Sequence, residues 1–183
     1  MKDCSFATNA KKKGSDLVFN IGDRIVYGSE GVFAVLEYTT SPLDKSDERV
    51  FYILVPVGGS ENNKIVAPSE GGMVSMREVM SRDEALGLID KMPEIEEVAV
   101  LQERGRRDAY RSVINGGRGE DFVSIIKTVR HRREEFFALK RRLSETDTDF
   151  EGRAKKCLFG ELSVALDIPL AEVESFIEER LGL

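Results

Sequence analysis

Apolar residues in the first half of the chain recur in short runs broken by turn formers. Arg24-Ile25-Val26-Tyr27 follow a Gly22-Asp23 turn, and GVFAVLEYTT (31–40) follows Gly-Ser-Glu-Gly. ERVFYILVPV (48–57) is the longest β-branched and aromatic run, and NKIVAP (63–68) stops at Pro68. Runs of this length between Gly, Pro, Asp and Asn predict a compact antiparallel barrel or curled sheet. SPLDKSD (41–47) reads as a hairpin loop. Phe33, Phe51 and Tyr52 read as core, which weighs against an RNA-binding barrel with aromatics on an exposed sheet face.

From Ser81 the period changes to that of helices. Ser81-Arg82-Asp83-Glu84 has the capping-box spacing, with Leu86, Ile89 and Met92 following until Pro93 interrupts. A second helix is expected from Leu101 through Ile114, closed at Asn115-Gly116-Gly117, where glycine accepts the left-handed cap. From Glu120, the residues Phe122, Ile125, Ile126 and Val129 fall at i, i+3, i+4 and i+7, one helix face. Ser144-Glu145 starts a further helix that carries Ala154, Cys157, Leu158, Leu162 and Ala165 and breaks at Asp167-Ile168-Pro169. Val173, Phe176, Ile177 and Leu181 mark the last one. The expected organisation is a disordered basic tail (1–16), a β domain (17–80), a helix and acidic linker (81–100) and a helical domain (101–183), an α+β chain.

Composition narrows the function classes. The 183 residues are 41% hydrophobic and 33% charged, enough for a core with much solvated helix surface. No run approaches the ~18 apolar residues of a membrane span. With two cysteines, Cys4 and Cys157, and no CxxC pair, a reducing cytoplasm is the expected compartment. The net charge of −6 by itself does not point to nucleic acid. Between Leu101 and Gly160, however, 15 lysines and arginines face 10 aspartates and glutamates, an excess of +5 that leaves −11 to the rest. The cations cluster at Arg106-Arg107, Arg132-Arg133, Lys140-Arg141-Arg142 and Lys155-Lys156, and Arg107 and Arg111 share a helix face. Phosphates attract such clusters through counterion release, while the ordinary alternative is a solvated, ion-paired helix surface. Zinc spacing, a basic zipper and a clear helix-turn-helix are all missing, so base-specific readout is not expected.

Catalytic chemistry finds no constellation. The single histidine, His131, lies between Arg130 and Arg132-Arg133, whose charge is expected to disfavour its protonated form, and it reads as an ordinary helix-surface residue. Cys157 reads as a small packed hydrophobe. NGGRGED (115–121) lacks the GxxxxGK[ST] pattern and reads as a turn between helices. Glu96-Glu97 lie in the linker and face no evident pocket. The chain reads as a non-enzyme, with no cofactor, metal or small-molecule substrate implied.

Taken in order, the segments resemble the CarD/CdnL family of bacterial RNA polymerase-binding regulators. FNIGDRIVYGSEGVFAVLE (19–37), FYIL (51–54), KIVAP (64–68) and MREV (76–79) resemble its N-terminal module. INGG (114–117), DFVSIIKTVRHRREE (121–135) and LSETDTDFEGRAKKCLFGELSVAL (143–166) resemble its helical module. The resemblance implies a Tudor-like domain that docks on the polymerase β subunit by sheet-edge pairing, here through the main chain of Lys64, Ile65, Val66 and Ala67. It also implies a helical domain lying on promoter DNA, with contacts to backbone and shape. Arg106, Arg107 and Arg111 are the first candidates for phosphate, with Arg104, Lys127, Arg130, Arg132, Arg133, Lys155 and Lys156 beside them. The tryptophan that many members wedge against DNA just before this cluster has no counterpart, since the chain contains none. The reading is a cytoplasmic transcription regulator that binds polymerase and promoter DNA and modulates promoter-complex stability. The alternative is a protein–protein adaptor whose basic helices face an acidic partner.

Overall fold

In a computed structural model, which describes residues 19–40, 49–59, 62–99 and 103–182, the chain is α+β. The expected tail (1–16) and hairpin loop (41–47) lie outside the described residues. The strands are β1 (Arg24–Tyr27), β2 (Gly31–Thr40), β3 (Val50–Pro56), β4 (Ile65–Pro68) and β5 (Met76–Glu78). The helices are α1 (Arg82–Lys91), α2 (Arg106–Ile114), α3 (Gly119–Ala138), α4 (Glu145–Leu166) and α5 (Val173–Leu181). The five strands form one open antiparallel sheet in the order β4-β3-β2-β1-β5, so β4 and β5 are its edges. Four strands match the expected runs. β5 has three residues, too few for an alternation to be visible in sequence.

The chain divides into two compact units, and the division runs through β2. The first comprises residues up to Asp23 and Ala34–Met73. Its core is aromatic: Phe19 and Tyr38 rings lie 6.1 and 5.9 Å from that of Tyr52, which is fully buried. The Tyr52 hydroxyl accepts from the Phe19 N–H at 3.3 Å, so the buried ring also satisfies its polar end. β3 and β4 pair Phe51 with Pro68 through Leu54 with Ile65. Tyr52, Leu54 and Ala67 face inward and are fully buried.

The second unit comprises Arg24–Phe33 and the chain from Val74 onward. β1 pairs with β5, Ile25 with Glu78 through Tyr27 with Met76. The helices close over one core that includes Tyr110, Ile114, Phe122, Ile125, Leu158 and Leu162, each 0–1% exposed. Helix ends follow the expected chemistry. Ser81 and Glu84 make the reciprocal capping box of α1, and Ser144 caps α4. Gly117 (φ 70°) turns the chain between α2 and α3, and Asp167 (φ 57°) ends α4. Gly119 packs closely, since a Cβ there would lie 2.4 Å from a terminal methyl of Leu88 and displace it. α2 begins at Arg106, after a 3-10 turn at Glu103–Gly105, later than the expected Leu101. One buried polar hub ties β5 to the helices. The Arg77 guanidinium donates to both Glu161 oxygens, one at 2.8 Å, and to the Gly117 carbonyl at 2.8 Å, while Met80 N–H also reaches Glu161 at 3.1 Å.

Candidate functional site

Two surfaces stand out, one on each unit. On the first, β4 pairs with β3 alone among the described strands. Ser69 N–H donates to the Val50 carbonyl at 2.9 Å, which sets the phase of the ladder. Bonded pairs alternate, so Tyr52–Ala67 and Leu54–Ile65 exchange hydrogen bonds and Ile53–Val66 does not. Among the four expected docking residues, Ile65 and Ala67 therefore spend their main-chain groups on β3. Val66 points its N–H and C=O outward along the edge. Pro68, which has no N–H to offer, occupies another outward position. The outer face of this hairpin is apolar: Phe51, Ile53, Val55 and Pro68 are half-buried and Val66 is 42% exposed. An open strand edge bordered by exposed aliphatic groups is a pairing surface for another chain.

On the second unit, the expected cations separate into three groups. Arg106 lies inside, 8% exposed. Its Nε sits 3.0 Å from Oδ1 of the fully buried Asp147, and its Nη2 donates to Ser144 Oγ at 2.9 Å. Arg132 approaches the same carboxylate at 3.5 Å, and Tyr110 donates to it at 3.1 Å. Burial and the Asp147 charge push the Tyr110 hydroxyl well above its ordinary range, so it stays a donor. These two arginines thus organise the ends of α2, α3 and α4 around Asp147 and present no charge to a phosphate.

A second group surrounds a hollow of about 570 Å³ between α3, α4 and α5, floored by Val123, Ile126, Leu158 and Ile177. Arg130, Arg133 and Lys155 line it, but each meets a carboxylate: Glu134 at 3.7 Å, Glu151, and Glu174 at 2.8 Å. Lys127 is spent on backbone, donating to the carbonyls of Met92 and Pro93 at 3.1 and 2.9 Å and to that of Ile95. Lys156 is exposed elsewhere on α4.

The third group is open to solvent. Arg107 and Arg111, one turn apart on α2, line a shallow hollow of about 350 Å³ with Asp149, Phe150 and Arg153 of α4. Arg153 lies over the Phe150 ring at 5.5 Å and donates to Ser29 Oγ at 3.3 Å, which fixes its planar fork. Arg111 has only an exposed partner, Asp108 at 3.6 Å, a contact of little energy. Arg104 is exposed just before α2. Arg153 was not among the expected phosphate residues. Its signal was weak, because only the fold brings residue 153 beside residues 107 and 111.

The remaining chemistry is structural. Cys157 is 2% exposed and donates to the Ser29 carbonyl at 3.1 Å; burial pushes its thiol up to about 11. His131 is exposed on α3, as expected of a helix-surface residue, but its surroundings favour the protonated form that the neighbouring cations were expected to disfavour. Its Nδ1 lies 3.1 Å from Glu97, and that hydrogen bond, with the Glu97 and Glu135 charges, raises its pKa. The linker explains this: Val98 N–H donates to Thr128 Oγ1 at 2.8 Å and Ser124 Oγ to the Glu96 carbonyl at 2.8 Å, laying residues 95–98 along α3. Glu97 thereby faces a partner after all. Among the described residues, no helix is long and apolar enough to cross a membrane. A scan against models of known protein families returns no match, and neither does a search of curated proteins.

Proposed function

We propose that this chain is a transcription regulator of the CarD/CdnL kind, to which its sequence is similar. Its first unit, a Tudor-like module in this reading, docks on the RNA polymerase β subunit by adding a partner strand to β4 around Val66. Its second unit rests on promoter DNA through Arg107, Arg111 and Arg153, which bind backbone phosphates without reading bases. Polymerase holds the chain near the promoter, so a small electrostatic contact acts at high effective concentration and shifts promoter-complex stability. The observation that carries the reading is the pairing of two unlike surfaces on one chain: an open, apolar-faced strand edge and a solvent-open hollow in which three arginines outnumber one aspartate.

Two variants of the full chain test it. Val66→Pro removes an N–H that points away from β3, so the ladder survives while the edge is blocked. Polymerase capture should be lost and DNA affinity kept. Arg107→Glu, Arg111→Glu and Arg153→Glu together should abolish duplex binding in a mobility-shift assay and leave polymerase capture intact. Polymerase capture that ignores Val66→Pro rejects the docking edge. DNA binding that ignores the triple change, or is absent from the wild type, favours the adaptor alternative.

A further inference from the structure

The corner between α3 and α4 holds two large apolar side chains in water: Phe137 is 82% exposed and Leu139 65%. This is not a fraying helix end. Leu139 N–H donates to the Glu135 carbonyl at 3.2 Å, Lys140 N–H to Phe137 at 3.0 Å and Arg141 N–H to Phe136 at 2.8 Å. Those bonds make a Schellman motif with Lys140 at its left-handed position, φ 54°. Over the neighbouring Phe136 ring lie the Arg132 and Arg141 guanidinium groups, at 5.3 and 5.7 Å from its centroid. The backbone beneath Phe137 is therefore fixed, so only its side-chain rotation remains to be ordered on binding. Glycine is the unstrained residue at such a cap. Here a lysine stands there, followed by Arg141 and Arg142, all exposed. Strain retained at a cationic position points to a use for the cation.

The corner belongs to the same unit as the arginine hollow. Arg106, at the start of α2, reaches Ser144 at the start of α4, six residues beyond the end of α3 at Ala138.

We infer that this corner is a binding site for single-stranded nucleic acid. Phe137 is the stacking surface for an unpaired base, and Lys140, Arg141 and Arg142 hold the flanking phosphates. An aromatic face accepts any base, and consecutive cations follow a backbone, so binding is indifferent to sequence and sensitive to salt. A closed duplex offers no free base face, which separates this ligand from that of the hollow. An anionic membrane fits less well, because two side chains at a corner bury far less apolar surface than an amphipathic helix laid on lipid. The inference builds on the DNA-contacting reading above, and its readouts are separable from it.

The test is fluorescence anisotropy of the full chain with labelled oligothymidylate, beside a duplex of equal length and phosphatidylglycerol vesicles. The wild type should bind oligothymidylate with a log–log salt slope of about −2, from three phosphates at ~0.7 each. Phe137→Ala should weaken it about tenfold, the loss of one stacked base, and Phe137→Trp should retain it. Lys140→Gly should raise the melting temperature and still weaken oligothymidylate binding. Duplex affinity should be unchanged in Phe137→Ala and lost in the triple arginine variant. Absence of oligothymidylate binding at low salt, indifference to Phe137→Ala, or Phe137-dependent binding to vesicles alone overturns the inference. Strand binding that persists without any duplex contact sinks the hollow and spares the corner; the reverse pattern sinks the corner only.

Discussion

Arg77 and Glu161 show how much depends on a single pair. Glu161 is fully buried, and Arg77 supplies two of its hydrogen bonds while also satisfying the Gly117 carbonyl. Arg77→Met leaves a buried carboxylate without its cation, a change that ordinarily costs about 3–5 kcal/mol. The Arg77 side chain is 36% exposed, so water relieves part of this and the low end, about 3 kcal/mol, is expected in urea denaturation. His131 carries a pH dependence of definite sign. Its folded pKa is raised by Glu97, so its contribution is complete below the unfolded value of about 6.5 and fades as pH rises through the folded one. Glu97→Gln should therefore lower the melting temperature at pH 6 and have a smaller effect at pH 9; equal effects at both would show that the Glu97–His131 pair adds no pH-dependent stability. The sequence misled at this scale for one physical reason. Adjacent residues diverge around a helix, so Arg130 and Arg132 do not set the field at His131, whereas Glu97, 34 positions away, does. Asp147 likewise gave no sign that it would draw Arg106 and Arg132 inward.

Elements were more legible, because caps and periods are local. The Ser81–Glu84 box, the Ser144 cap and the Asp167 stop all sit where the residues predicted. Ser144 does more than cap. Its hydroxyl accepts from Asp147 N–H at 3.2 Å, donates to Asp147 Oδ2 at 2.8 Å and accepts from Arg106 at 2.9 Å. Ser144→Ala removes the cap and leaves a buried carboxylate one donor short, so a loss of about 2 kcal/mol is expected in the same denaturation assay. A loss within a few tenths of a kcal/mol would show that water replaces the hydroxyl. The start of α2 was misread because the helical pattern from Leu101 has no cap to fix its origin, and a 3-10 turn at Glu103–Gly105 precedes it.

Across the whole molecule, the positive excess between residues 101 and 160 was visible in sequence, but its destination was not. Packing distributes it among a buried core of charge, a neutralised groove, one open hollow and the exposed corner of Lys140, Arg141 and Arg142, and sequence spacing carries no information about that partition. If three arginines meet phosphate, the duplex affinity of the full chain should fall with a log–log salt slope of roughly −3. A slope near zero in a titration from low to moderate salt would exclude phosphate contact altogether. The second unit also carries its own clock. Thiolate attacks alkylating reagents, and Cys157 in place is shielded and holds its proton, its pKa pushed up to about 11 by burial. With Cys4→Ser leaving a single thiol, the rate of iodoacetamide incorporation near pH 8 would follow how often Cys157 is freed from the Ser29 carbonyl. Mass spectrometry of that adduct then times a breathing motion that equilibrium melting averages away.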